Sequence, residues 1–183
     1  EYGRLDTWVH LAAAGLFAPF DQTQPEEFKR VVDEINRGGR IVSISGLVAG
    51  SARALVMAAL QRETKRLFAV VTQSNKDLEP WENDLRFWYC ALAGKAKCEN
   101  EVLILPASES DPYAGSSPHA ETLVKRALTL WRLAQRTQDF VLLTARALAR
   151  RTLPPAELAA AGAVLRRDED YAPEELVEKL LAS

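Results

Sequence analysis

Arg40-Ile41-Val42-Ser43-Ile44-Ser45-Gly46-Leu47-Val48-Ala49-Gly50-Ser51-Ala52-Arg53-Ala54 is the stretch on which the fold turns. A short apolar run, Ile41 to Ile44, leads into a glycine-bearing loop, and the loop leads into the helix-forming run Arg53 to Leu60. Strand, loop and helix in that order are the setting of a phosphate-binding loop. There, a last glycine lets backbone N–H groups close on phosphate, a lysine reaches the outer phosphates and a Ser/Thr hydroxyl holds Mg²⁺. Here Ala52, Arg53 and Ala54 stand in those three places. An alanine cannot ligate magnesium, and its Cβ crowds a turn that glycine makes freely. Gly46, Gly50, Ser51, Ala52, Arg53 and Ala54 therefore read as a vestigial nucleotide loop, with an arginine that still suits an anion.

Outward from this loop the pattern repeats. Phe28, Val31, Val32 and Ile35 share a helical face behind the start signal Pro25-Glu26-Glu27, and Gly38-Gly39 stops that helix. Residues 67–72, 101–105 and 140–144 are short continuous apolar runs, each read as a buried strand. Between them, 76–89 and 120–134 carry helical stripes, with a short helix at 145–151. Trp81, Trp88 and Trp131 lie on those stripes and read as core residues. Strands alternating with helices predict an α/β fold, a parallel sheet with helices on both faces.

Leu153-Pro154-Pro155 breaks the alternation. Ala163 to Arg166 and a helix from Pro173 to Leu181 read as the beginning of another unit. Residues 1–25 show little periodicity; Trp8, Leu11, Leu16 and Phe17 suit a short helix, and the segment is left unassigned.

Composition narrows the function classes. With 48% hydrophobic and 26% charged residues the chain has the means to bury a core, and wholesale disorder is excluded. A formal net charge of -2 argues against a protein that coats nucleic acid. No apolar run approaches the roughly 20 residues that span a bilayer, nor does the N-terminus carry a signal pattern, so a cytoplasmic protein without a membrane partner is expected. Cys90 and Cys98 lack metal-ligand spacing and read as reduced thiols. His10 and His119 stand alone, and no metal site is expected. A chain that opens at Glu1 and has its one methionine at Met57 reads as a piece of a longer product.

Charge is distributed unevenly. Lys125, Arg126, Arg132, Arg136, Arg146, Arg150 and Arg151 form a candidate basic contact face, opposed in that stretch by Asp139 alone. Such a face meets phosphate backbones or an acidic neighbour. From 157 to 179 the balance reverses, which favours docking between units over wrapping of DNA. Glu109, Asp111, Tyr113 and His119 fall in a loop of turn-forming residues and are read as an ordinary connection, since a general acid–base pair needs a matched geometry that spacing does not show.

Several blocks in fixed order carry a family resemblance. They are Ser45-Gly46-Leu47 through Gly50-Ser51-Ala52-Arg53-Ala54-Leu55, Val70-Val71-Thr72 with Asn75-Lys76, and Asp84-Leu85-Arg86-Phe87. Leu103-Ile104-Leu105-Pro106, Asp111-Pro112-Tyr113, Ser117-Pro118-His119, residues 126–133 and Arg146-Ala147-Leu148 complete the set. Together, over 26–183, they resemble the N-terminal, UvrB-like module of bacterial transcription-repair coupling factor. The resemblance implies a helicase-like α/β domain at 26–153, similar to UvrB domain 1a and with a degenerate P-loop. It further implies that 154–183 begins a small inserted α+β domain that binds UvrA, with Arg166 and Arg167 as candidate partner-domain residues. A non-catalytic module of transcription-coupled nucleotide excision repair follows, recruiting UvrA and regulating a parent translocase. ATP and Mg²⁺ would be used by that parent's motor domains, and RNA polymerase and double-stranded DNA would be met by other parent domains. Two alternatives stand beside it: a fragment of an active UvrB-type ATPase, and an unrelated α/β binding domain.

Overall fold

The computed structural model describes residues 8–11, 25–39, 41–44, 47–96, 98, 101–108, 120–135, 138–162, 164–167 and 170–181. Its elements are β1 (Trp8–Leu11), α1 (Pro25–Asn36), β2 (Ile41–Ile44), α2 (Gly50–Thr64), β3 (Phe68–Thr72), α3 (Leu78–Ala93) and β4 (Val102–Leu105). They continue with α4 (Ala120–Ala134), β5 (Phe140–Thr144), α5 (Ala145–Leu148), α6 (Pro155–Ala161) and α7 (Pro173–Leu181).

All strand pairs are parallel, in the order β3-β5-β4, with Phe140 opposite both Phe68 and Val102. Central β5 is buried along its whole length, as a parallel strand covered on both faces must be. The step from β3 to β4 runs across the sheet one way, and the step from β4 back to β5 runs the other. Right-handed crossovers then place α3 and α4 on opposite faces. Alternate side chains record this: Phe140 and Leu142 join the core under α2 and α3, while Val141 and Leu143 join the one under α4 and α5.

The single sheet expected from the strand pattern is divided. β2 pairs with β1, Trp8 opposite Ile41, and among the described residues no ladder joins it to the three-stranded sheet. What unites the parts is one hydrophobic cluster running from Ile35 and Val42 through α2 to Phe68, Val70 and Phe140. The short helix suggested for Trp8 and Leu11 is corrected as well: these residues are a strand, because β2 supplies a partner that local pattern cannot reveal.

At the N-terminal edge of the sheet, Asp139 ties strands to helices. Its carbonyl accepts from Phe68 N–H at 2.9 Å and its N–H donates to the Glu101 carbonyl at 3.1 Å. Its carboxylate accepts from Gln61 Nε2 of α2 at 2.6 Å and from the Tyr89 hydroxyl of α3. Burial, and after it the hydrogen bond to Asp139, push the Tyr89 phenol well above its usual pKa.

Cys90 and Cys98 are joined in a disulfide, with Cα atoms 5.8 Å apart, in place of the reduced thiols expected. α3 ends at Gly94, whose φ of 65° reverses the chain, and the reversal carries Cys98 back beside the helix's last turn. Helix α6, opened by Pro155 at a position where its missing N–H costs nothing, packs on α4. Gly162 closes α6 against the Trp131 indole.

Candidate functional site

The loop between β2 and α2 is described from Leu47 onward; Ser45 and Gly46 lie outside the described residues. Arg53 folds back over it. Its Nε donates to the Leu47 carbonyl at 2.8 Å and an Nη donates to the Val48 carbonyl at 3.2 Å. Two of the five guanidinium N–H donors are thus engaged by the loop's own backbone. Ala54 is 0% exposed and packs in the main core, so position 54 looks inward and not toward a nucleotide. Ala52 rests against the same core, and the Ser51 hydroxyl accepts from Trp88 Nε1 at 2.9 Å. Gly50 does not use the left-handed backbone region, and a Cβ there would meet only the Asp84 carboxylate, at 3.6 Å. Chemically, this is a loop closed on itself and clamped by α3.

The opposite features gather at the C-terminal edge of the three-stranded sheet. Asn75, after β3, holds Ala107 with both ends of its amide: Nδ2 donates to the Ala107 carbonyl at 2.9 Å and Oδ1 accepts from Ala107 N–H at 2.8 Å. Arg126 of α4 donates to the Pro106 carbonyl, and one turn further on Thr129 Oγ1 donates to the Ile104 carbonyl at 2.6 Å. The run leaving β4 is thus pinned from two sides before residues 109–119. That stretch, with Glu109, Asp111, Tyr113 and His119, lies outside the described residues.

The seven cations of the candidate basic face separate in space. Arg126 is only 8% exposed, and Lys125 is paired with Glu121 at 2.8 Å. Arg146, Arg150 and Arg151 are exposed on α5 and the turn after it, where Ala147 packs beside Leu105, Ala107 and Leu143. Arg132 lies six residues along α4 from Arg126, about 9 Å down the helix axis. Arg136 lies outside the described residues. Arg166 and Arg167 are exposed between α6 and α7, where the Arg166 N–H donates to the Tyr171 hydroxyl at 2.8 Å. Sequence reasoning counted Asp139 only as an acid and gave no role to Asn75. Their signal was positional: a polar residue bounding a buried strand has backbone and side-chain groups to satisfy.

Among the described residues no cluster of His, Cys, Asp or Glu could hold a metal ion, and no helix is long and apolar enough to cross a membrane.

Fold and loop together define a parallel α/β module in whose strand–loop–helix unit Arg53 is folded back onto the Leu47 and Val48 carbonyls. By sequence this module is related to transcription-repair coupling factor: it is 33% identical over 156 residues to the transcription-repair-coupling factor of Myxococcus xanthus. The match covers 84% of this chain and 13% of that protein, so the chain spans a small part of its relative's length. The relationship removes the alternative of an unrelated α/β domain. No protein-family model and no solved structure matches the chain.

Proposed function

We propose that this chain is a non-catalytic, protein-interaction module acting in transcription-coupled nucleotide excision repair, and that it helps recruit UvrA and restrain an ATP-driven translocase motor of its parent protein. The relationship to a transcription-repair-coupling factor supports the pathway. The observation that carries the non-catalytic part is Arg53, whose guanidinium is bound to the Leu47 and Val48 carbonyls at the head of α2. Opening a phosphate site there would break two charge-assisted hydrogen bonds, each about 1.5–3 kcal/mol, and Ala54 would still offer no hydroxyl for magnesium. The competing reading, a working ATPase fragment, requires both.

Two measurements test the proposal. Equilibrium dialysis with a labelled ATP analogue and Mg²⁺ should show no saturable binding; binding that disappears in Arg53→Ala overturns the non-catalytic reading. A pull-down with purified UvrA, using the chain carried on past Ser183 in its parent protein, should retain UvrA. Absence of UvrA from the bound fraction removes the recruitment reading while leaving the loop result intact.

A further inference from the structure

Among the described residues Arg126 is a buried cation without a counter-ion. It is 8% exposed, it donates a hydrogen bond to the neutral Pro106 carbonyl, and no described carboxylate pairs with it. Taking a charge out of water without compensation is costly, and natural proteins tolerate it where a ligand or a network supplies the opposite charge. The nearest charge of consequence makes matters worse. Burial first, then the like charge of Arg150, lower the Arg126 pKa from the ordinary arginine value.

Topology explains why arginines meet here. Pro106 follows β4 and Ala145 follows β5, two adjacent parallel strands, so both chain exits lie at one edge of the sheet. α4 starts at that edge, with Arg126 in its second turn. α5 is seated over the same edge by Ala147, which packs with Leu105, Ala107 and Leu143. Arg150 is close enough to act on the buried guanidinium, and Arg146, four residues before it, and Arg151, next to it, are exposed on the same short segment, none of the three in an ion pair among the described residues. Edges of this kind, at the carboxyl ends of parallel strands, are where open α/β sheets take ligands.

We propose that this edge, built by Arg126, Arg146, Arg150 and Arg151, binds the phosphodiester backbone of a nucleic acid. These four cations are guanidiniums, whose forked donors match phosphate oxygens two at a time. A hydrogen-bonded, desolvated arginine beside exposed ones supplies one oriented contact and several adaptable ones. The choice of nucleic acid over an acidic protein surface rests on the repair reading above; the arginine site itself does not. Contacts to backbone alone carry no sequence preference.

The test uses the 183-residue chain and a short fluorescein-labelled DNA duplex, with anisotropy read across a salt series starting at about 50 mM. Binding is expected with log K falling against log salt at a slope of about -3.6, the value for roughly four neutralised phosphates. The triple variant Arg146→Ala, Arg150→Ala, Arg151→Ala changes only exposed side chains. It should weaken binding by about tenfold or more and flatten the slope toward about -1, with its circular dichroism unchanged. Arg132→Ala should alter neither quantity. Three results overturn the proposal: no binding at the lowest salt, a triple variant with the parent's slope, or polyglutamate competing as well as unlabelled duplex. None of them bears on UvrA retention, so failure here and failure of the repair reading are told apart.

Discussion

Gly162 lies so close to Trp131 that a Cβ built on it would fall 1.8 Å from the indole Nε1. The glycine's backbone, at φ -100° and ψ 155°, is ordinary extended chain open to any residue. Space is therefore the constraint. It welds the end of α6 to α4 and binds the segment after Pro154 to the sheet domain. Gly162→Ala is expected to destabilise the chain by about 1–3 kcal/mol, the cost of overpacking a contact that cannot yield. Urea unfolding measures it. Adding Trp131→Phe, which vacates the space of the indole nitrogen ring, should return part of the loss, and a purely additive double mutant would contradict the contact.

Ala54 gives a second prediction. Restoring the hydroxyl that a magnesium site needs, by Ala54→Ser, places it in the core, where the side chain is 0% exposed. The serine can turn only to a carbonyl of the preceding helical turn. A loss of about 1–2 kcal/mol in unfolding free energy is expected, with no gain of nucleotide binding by equilibrium dialysis. Magnesium-dependent ATP binding by this variant would show that position 54 faces a usable pocket.

Which parts of this could be read from the chain follows from how local their causes are. The runs at 102–105 and 140–144 announce themselves because a parallel strand buried on both faces has no polar face to hide behind; those at 41–44 and 68–72 are nearly as apolar, although Ile41, Ser43 and Ala69 lie exposed. β1 does not, because Trp8 to Leu11 becomes a strand only by pairing with residues more than thirty positions away. The division of the sheet is equally non-local, as is the disulfide, which depends on Gly94 turning the chain back. α6 is legible in principle: Pro154-Pro155 breaks the strand–helix alternation, yet proline in a first turn starts helices as readily as it ends them. At the loop, residue identities show that lysine and hydroxyl are missing. That Arg53 bends back onto Leu47 and Val48 is a matter of side-chain direction, which identities do not contain.

Asn75 predicts a local effect. Its amide makes reciprocal hydrogen bonds with the backbone of Ala107, and Asn75→Ala removes both. Each is worth about 1 kcal/mol net, so a loss of roughly 2 kcal/mol is expected, along with faster hydrogen exchange at the Ala107 N–H, which the Asn75 carbonyl now protects. Exchange at β5 amides should not follow, since their partners are the flanking strands. An unchanged rate at Ala107 would mean that the clamp does not hold the exit of β4.

Tyr89 and Asp139 make stability fall at alkaline pH in a way that one substitution isolates. The phenol donates to the Asp139 carboxylate, and burial raises its pKa above the ordinary 10.0, the hydrogen bond adding to the effect. Below pH 10 both folded and unfolded chains hold the phenolic proton, and the interaction contributes in full. Above it the unfolded chain gives the proton up while the folded chain keeps it. The unfolded state then binds fewer protons, and the free energy of unfolding declines as pH rises. Tyr89→Phe lacks the proton and the bond alike. It should be less stable than the parent by about 1–2 kcal/mol at pH 7, because Asp139 loses a donor while Gln61 remains. The gap should narrow as the pH climbs from 10 toward 11. Urea unfolding of both proteins across that range reads it directly, and a gap that stays constant would place the Tyr89 hydroxyl in water.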